Sequence, residues 1–334
     1  MKEVKVTASN PYSVLIGAGI MKNFKALCGD IISGRRLAVI TDDTVDGLYF
    51  EKLGLDGALK FVFPHGEESK NMNTLSDILE FLAENNFTRS DVLIALGGGV
   101  VGDITGFAAA VYMRGINYIQ VPTTLLAMVD SSVGGKCAVD LHHGKNLAGS
   151  FHQPKRVICD TSALQTLPDE MYKAGMAEVI KYGVLSGISL ESDIETLVFD
   201  CVSVKADIVR SDEFDNGTRQ LLNLGHTPAH GIEALSSYTV PHGFAVAAGM
   251  GMIARASVKN GFCSKETADK VIGILEENGL PCDTEYDYGK IAEVAMRDKK
   301  AKGDKLTLVL IEKYGKCILH EINKKDFAEF ISVK

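Results

Sequence analysis

Three sets of residues in this chain could do chemistry. The first is a set of metal donors. Of eight histidines, His226, His230 and His242 lie close together. His226 and His230 are four positions apart, so a helix would put both on one face. A catalytic zinc-type ion wants three protein ligands and one open position, and Glu178, on a helical stretch with Lys181 one turn beyond, is the natural acidic partner. Spacing alone would pair His226 with His230. The second set is cationic: Arg114, Lys136, Lys145, Lys181, Arg219 and one of Lys299 and Lys300. A charge in an interior costs several kcal/mol unless it is paired. Lys136, framed by glycines and apolar residues, is expected inside, whereas Lys155 and Lys173 read as surface lysines. Such a cluster suits a ligand with both carboxylate and phosphate, since arginine matches a planar fork of acceptors and lysine acts as a point charge on phosphate. The third set is glycine: Gly97, Gly99 and Gly102 spell G-x-G-x-x-G.

Elements must position these sets. Val92–Leu96 is a short β-branched and apolar run that reads as a buried parallel strand. The turn 97–103 follows, and the small-residue run Gly106–Tyr112 reads as a helix. Strand, glycine turn and helix start make a phosphate cradle, and this is the context in which the motif signals a dinucleotide. The acidic residue expected about 20 positions downstream for the adenosine ribose is missing, because that region reads Tyr118-Ile119-Gln120-Val121-Pro122. Asp42 and Asp43, at the end of the earlier strand Leu37–Ile40, could supply it and would favour NAD over NADP. Equally, they could only cap the next helix. Tyr12–Ile16 and Leu59–Phe63 are further strands, and Leu75, Ile78, Leu79 and Leu82 mark a helix. Strands alternating with helices predict a parallel, Rossmann-like sheet with ligands beyond its carboxyl ends.

From Leu164 helical periodicity dominates to about residue 300, and a last strand-like run, Leu306–Ile311, precedes a short terminal helix. The expected layout is an α/β nucleotide-binding domain over residues 1–161 and a mainly α-helical metal- and substrate-binding domain over 162–334, with the active site in the cleft between them. A chain of 334 residues is comfortable for two domains. Its net charge of −8 argues against a nucleic-acid or anionic-membrane surface. No apolar stretch is long enough to span a bilayer. Seven cysteines without C-x-x-C pairing predict free thiols in a reducing cytoplasm, and Cys137 reads as a small buried filler.

The motif-rich stretch goes further. GGGVVGD, Tyr112-Met113-Arg114-Gly115, PTTLLAMVDSSVGGK and Gly144-Lys145-Asn146 are followed by Ala174–Lys181 and Leu222-Asn223-Leu224-Gly225-His226. Taken together the chain resembles the 3-dehydroquinate synthases, sugar-phosphate cyclases of the shikimate pathway, over nearly its whole length. The resemblance implies a divalent ion, zinc or cobalt, on Glu178, His226 and His242, with His230 facing the substrate instead. It implies NAD contacts from Asp42, Glu67, Lys70, Gly98, Gly99, Val100, Asp103, Thr123, Thr124, Asp130, Lys145 and Thr166. Arg114, Lys136, Lys145, Asn146, Arg219 and Lys299 or Lys300 would hold the anionic substrate, with Asp130, Lys136, Lys181, Asn223 and His230 positioning hydroxyls or moving protons. A homodimer is also implied. Pro228, between the two helical histidines, departs from the family pattern and is tolerated only in a first helical turn.

The implied reaction converts 3-deoxy-D-arabino-heptulosonate 7-phosphate to 3-dehydroquinate. It runs by transient oxidation at C5, phosphate elimination, re-reduction, ring opening and intramolecular aldol closure. A related cyclase on another sugar phosphate, a metal- and NAD-dependent polyol dehydrogenase and a non-catalytic NAD-binding regulator are the alternatives. Gly134-Gly135-Lys136, the cation cluster and the Glu178/His226/His242 set weigh against each in turn.

Overall fold

The computed structural model describes residues 1–297 and 303–333. Lys299 and Lys300 lie outside the described residues. The chain divides into two compact units, Met1–Pro168 with Asp193–Phe214, and Asp169–Ser192 with Asp215–Lys334. The single break expected near residue 161 is therefore three breaks, after residues 168, 192 and 214.

Unit 1 is built on strands β1 (Lys2–Val6), β2 (Tyr12–Gly17), β3 (Leu37–Asp42), β4 (Leu59–Phe63), β5 (Val92–Gly97) and β6 (Asn117–Pro122), a hairpin β7 (Lys136–Leu141) and β8 (Gly144–Phe151), and β9 (Arg156–Asp160). Seven of them form one sheet in the order β1-β2-β9-β6-β5-β3-β4, antiparallel only where β1 meets β2. β5 is buried at every residue, which its apolar run requires of a strand covered on both faces. The strand order reverses between β3 and β5, since β4 lies on the far side of β3. Ligands of such sheets bind outside the carboxyl ends at this reversal. There Asp42 closes β3 and Gly97 closes β5.

Three helices matter for that end of the sheet: α1 (Asp43–Tyr49), α2 (Met72–Glu84) and α3 (Gly99–Val111). The helix expected from Gly106 begins seven residues earlier, at Gly99. The glycine run is thus its first turn, closed by the Gly102 N–H donating to the Gly98 carbonyl at 3.0 Å. Close approach explains the small residues. A Cβ on Gly102 would stand 2.7 Å from Gln120 Oε1, and one on Gly106 would stand 2.2 Å from Cys137 Sγ. Gln120 thus occupies the region where a ribose-binding acid was sought, inside β6 and under α3.

The chain then enters unit 2 as α4 (Asp169–Ser186) and returns to unit 1 as α5 (Ile194–Ser211). The buried positions Val198, Cys201, Val202, Lys205, Ala206 and Val209 repeat at helical spacing and lay α5 on β1, β2 and a π-helical turn at Ala127–Ser131. Unit 2 continues with α6 (His226–Leu235), α7 (His242–Lys259), α8 (Lys265–Glu277), α9 (Tyr288–Arg297), a hairpin of β10 (Lys305–Lys313) and β11 (Lys316–Asn323), and α10 (Phe327–Ile331). β10 contains the expected run Leu306–Ile311; its partner β11 was not anticipated, since its burial pattern is mixed.

Helix α7 is buried almost all round and packs backbone to backbone with its neighbours. A Cβ on Gly243 would lie 2.0 Å from the Ala174 carbonyl oxygen in α4. A Cβ on Gly249 would lie 2.0 Å from the carbonyl of Gly225, which precedes α6. These approaches place the start of α7 beside Ala174, one turn before Glu178, and its third turn beside the start of α6.

Candidate functional site

In unit 2 the first residues of α6 and α7 are His226 and His242, and both rings turn toward Glu178 of α4. Glu178 Oε1 is 3.7 Å from His226 Nε2 and 3.5 Å from His242 Nε2. One donor atom from each residue lies within 4.8 Å of the others. In a tetrahedral site with bonds of about 2.0–2.2 Å, donors stand roughly 3.3–3.6 Å apart. The set therefore fits a divalent ion with a position left for another ligand. His226 Nδ1 is hydrogen-bonded to the Leu224 carbonyl at 3.1 Å, which turns Nε2 toward the carboxylate. Pro228 falls in the first turn of α6, where a missing N–H is tolerated.

Charge around Glu178 is dense. The carboxylate is 1% exposed and forms an ion pair with Lys181, one turn along α4 and equally buried. Burial, helped by Lys181 and the neighbouring imidazoles, pushes His226 down to about 3, so the ring is neutral and its lone pair can bind a cation. Burial alone would lower His242 too, but hydrogen bonds and charges from Glu178 and Glu233 outweigh it and hold the ring near 10. His230 lies one turn beyond His226, its ring 6.1 Å away, exposed and outside the donor group. Arg219 is buried and Asn223 exposed, in a 3₁₀ turn at Thr218–Asn223. Arg219, Asn223, His226 and His230 are spaced in the sequence as one helical stripe, but the helix is broken at Leu224, which is extended, and at Gly225, with φ 77°. Arg219 and Asn223 thus share a turn with each other, not a helix with the histidines.

In unit 1 the polar groups gather near the first turn of α3. Lys70 is 4% exposed, and its Nζ donates to Asp103 Oδ2 and to Asn146 Oδ1, each at 2.6 Å. Burial would lower this lysine, but Asp103 and Glu67 outweigh it and keep it protonated. Glu67 Oε1 lies 3.8 Å from Lys145 Nζ. Asn146 takes a left-handed φ of 56°, a conformation asparagine tolerates better than most residues; its N–H donates to Asp140 Oδ1 at 2.7 Å. Gly98, Gly99 and Val100 are half-buried at the helix start. Thr123 N–H donates to the Gly97 carbonyl at 3.0 Å, and Thr124 Oγ1 accepts from Ala127 N–H at 3.2 Å. Asp42 Oδ1 caps α1, accepting from Thr44 and Val45 N–H at 3.0 and 2.8 Å. Thr166 hydrogen-bonds the Tyr49 hydroxyl.

Other expected residues are placed differently. Lys136, read as interior, is exposed at the start of β7 while Cys137 beside it is buried, because strand alternation sends neighbours to opposite faces. Arg114 is exposed on a turn after α3 where Met113 and Arg114 both have positive φ, 49° and 66°. Asp130 lies in the π-helical turn. One cation escaped the sequence reading: Lys205, 5% exposed, forms an ion pair with the Asp130 carboxylate and donates to the Asp130 carbonyl at 2.8 Å. The signal was present, since Lys205 occupies a core position of the apolar stripe of α5.

Known proteins match both units. Residues 60–174 match the family described as 3-dehydroquinate synthase N-terminal, and residues 175–301 its C-terminal counterpart. The 3-dehydroquinate synthase of Clostridium acetobutylicum is 42% identical over an alignment of 346 residues that covers 97% of each chain. That of Pelobacter propionicus is 41% identical, over 93% of each. Among solved structures, a 2-deoxy-scyllo-inosose synthase complexed with carbaglucose-6-phosphate, NAD+ and Co2+ has a TM-score of 0.88 at 25% identity, covering 99% of both chains. The 2-epi-5-epi-valiolone synthase of Streptomyces hygroscopicus, with NAD+ and Zn2+ bound, shares the fold at a TM-score of 0.85 and 24% identity. Two matched units, identity above two fifths and nearly complete coverage lead to one conclusion: the chain belongs to the 3-dehydroquinate synthase family of sugar-phosphate cyclases.

Proposed function

We propose that this enzyme converts 3-deoxy-D-arabino-heptulosonate 7-phosphate to 3-dehydroquinate and inorganic phosphate as an NAD- and divalent-metal-dependent lyase. When bound, NAD would supply a reversible hydride acceptor and a zinc or cobalt ion would supply a Lewis acid for a substrate hydroxyl. Glu178, His226 and His242 hold the ion. Asp42, Glu67, Lys70, Asp103, Thr123, Thr124, Thr166 and the backbone of Gly98, Gly99 and Val100 hold the cofactor. Half-buried glycines and free N–H groups at the first turn of α3 suit a pyrophosphate. The Asp42 carboxylate can serve the helix cap and a ribose hydroxyl together, since both cap bonds run to Oδ1.

The remaining residues act on the substrate. Arg219, Lys136, Lys145, Arg114 and Lys299 or Lys300 oppose its carboxylate and phosphate, and Asn146 adds an amide. Lys205 joins them as a cation held in place by Asp130. Asp130, Lys181, Asn223 and His230 position hydroxyls or move protons. Lys181 is suited to this because it is fixed by Glu178 and almost wholly buried. A homodimer and a cytoplasmic location complete the proposal.

The observation that carries this reading is the buried Glu178 carboxylate facing two imidazoles and a lysine within one small group. A phosphate-release assay with and without chelator and added NAD tests it. Phosphate should appear without accumulation of NADH, and chelation should stop it. Steady NADH production without phosphate would mean a dehydrogenase instead.

A further inference from the structure

A carboxylate with no role so far lies behind the donor group of unit 2. Glu233 is the eighth residue of α6, seven positions after His226, and so shares its face two turns on. It is 3% exposed, and a carboxylate taken from water needs a hydrogen-bonded or charged partner. Its Oε1 lies 3.3 Å from His242 Nδ1. The other ring nitrogen, Nε2, is the one 3.5 Å from Glu178. The turn after α6 secures this arrangement. Ser236 Oγ and Tyr238 N–H both donate to the Glu233 carbonyl, at 2.9 and 2.7 Å, and Ser237 and Tyr238 take left-handed φ values of 52° and 61°. The chain reverses there and delivers His242 back beside the helix it has just left.

We infer that Glu233 is the positioning residue of the metal centre: it accepts the Nδ1 proton of His242, fixes that ring with Nε2 forward, and makes it a stronger donor to a divalent cation. The two imidazoles are then set by different means. His226 is pinned by a neutral carbonyl, that of Leu224, and His242 by a carboxylate. A carboxylate behind an imidazole raises ligand basicity as well as orienting the ring, and its loss typically costs about 10- to 100-fold in metal affinity. α6 thus supplies one ligand outright and governs a second on the next helix.

The inference rests on the metal-dependent reading above, and binding of Co2+ alone separates the two. Dissociation constants would be measured by competition with a chromophoric chelator, with visible spectra of the Co2+-loaded proteins, for the wild type, Glu233→Gln and Glu233→Ala. Glu233→Gln keeps the shape and an acceptor oxygen but loses the charge. It should bind Co2+ about 10-fold more weakly, and Glu233→Ala nearer 100-fold, with a shifted Co2+ spectrum in both. Wild-type affinity and spectrum in both variants would overturn the inference and leave the metal reading intact. So would weakened binding in Glu233→Gln with a wild-type Co2+ spectrum, since that marks a packing role. A wild-type protein that takes up no Co2+ would overturn both.

Discussion

In unit 1 the buried ammonium groups of Lys70 and Lys205 each meet an acid of their own, Asp103 and Asp130. In unit 2 a single carboxylate, Glu178, faces Lys181, His226 and His242 at once. The first arrangement balances charge pair by pair and holds its groups still around backbone N–H donors. The second concentrates several cations and lone pairs on one negative group, whose state depends on what else enters. Glycine is used differently as well. In unit 1 it lets a helix start sit at the end of a strand; in α7 it lets whole helices touch through their backbones.

The contrast can be broken most decisively at the donor group. His242→Ala should remove the ion altogether, whereas His230→Ala should keep it, as metal analysis after dialysis would show. Retention by the first or loss by the second would restore the simple four-residue pairing of His226 with His230. Next in size is the effect on stability without ion. Glu178→Ala leaves Lys181 buried without its carboxylate and should cost about 3–5 kcal/mol in urea unfolding. Asp103→Ala should cost less, roughly 1–3 kcal/mol, because Lys70 keeps Asn146 and has Glu67 at 4.0 Å. Equal losses would erase the difference between paired and shared acids. Gly249→Ala and Gly106→Ala should each cost about 1–3 kcal/mol through overpacking. The clash at Gly106 is with the Cys137 side chain, so adding Cys137→Ala should recover much of that loss. The clash at Gly249 is with a backbone carbonyl and has no such remedy. The smallest effect concerns Cys137 itself. Burial pushes its thiol up to about 12, and since only the thiolate alkylates readily, it should stay unmodified by iodoacetamide at pH 8 in the folded protein and react once unfolded.

Much of this was legible in the sequence, and what was not has physical causes. β2, β3, β5 and β10 could be read from their apolar runs, and β4, at the edge of the sheet, from its aromatic and branched residues. The start of α3 could not, because glycine reads as a turn whether or not the backbone is helical. The β7–β8 hairpin hid behind glycines, and Lys136 was misplaced because neighbouring glycines say nothing about which face a strand residue takes. The stripe from Arg219 to His230 looked like one helix since Leu224 and Gly225 break no periodicity. Three of the donors stood out by residue type. Lys205 and Glu233 did not, because a charged residue in a helix reads as solvated until its neighbours are known. The breaks after residues 168, 192 and 214 leave no mark in composition, as α5 is helical like its surroundings.

Those breaks bear on how the molecule is made. A nascent chain emerges from its amino end at about 5–20 residues per second, and domains tend to mature as they appear. Here unit 1 cannot mature at residue 168, because the helix that covers β1 and β2 and carries the partner of Asp130 is translated only after α4. Unit 2, in turn, waits with Glu178 already synthesised until both histidines have left the ribosome. A gene cut at residue 168 would therefore yield two unfinished halves.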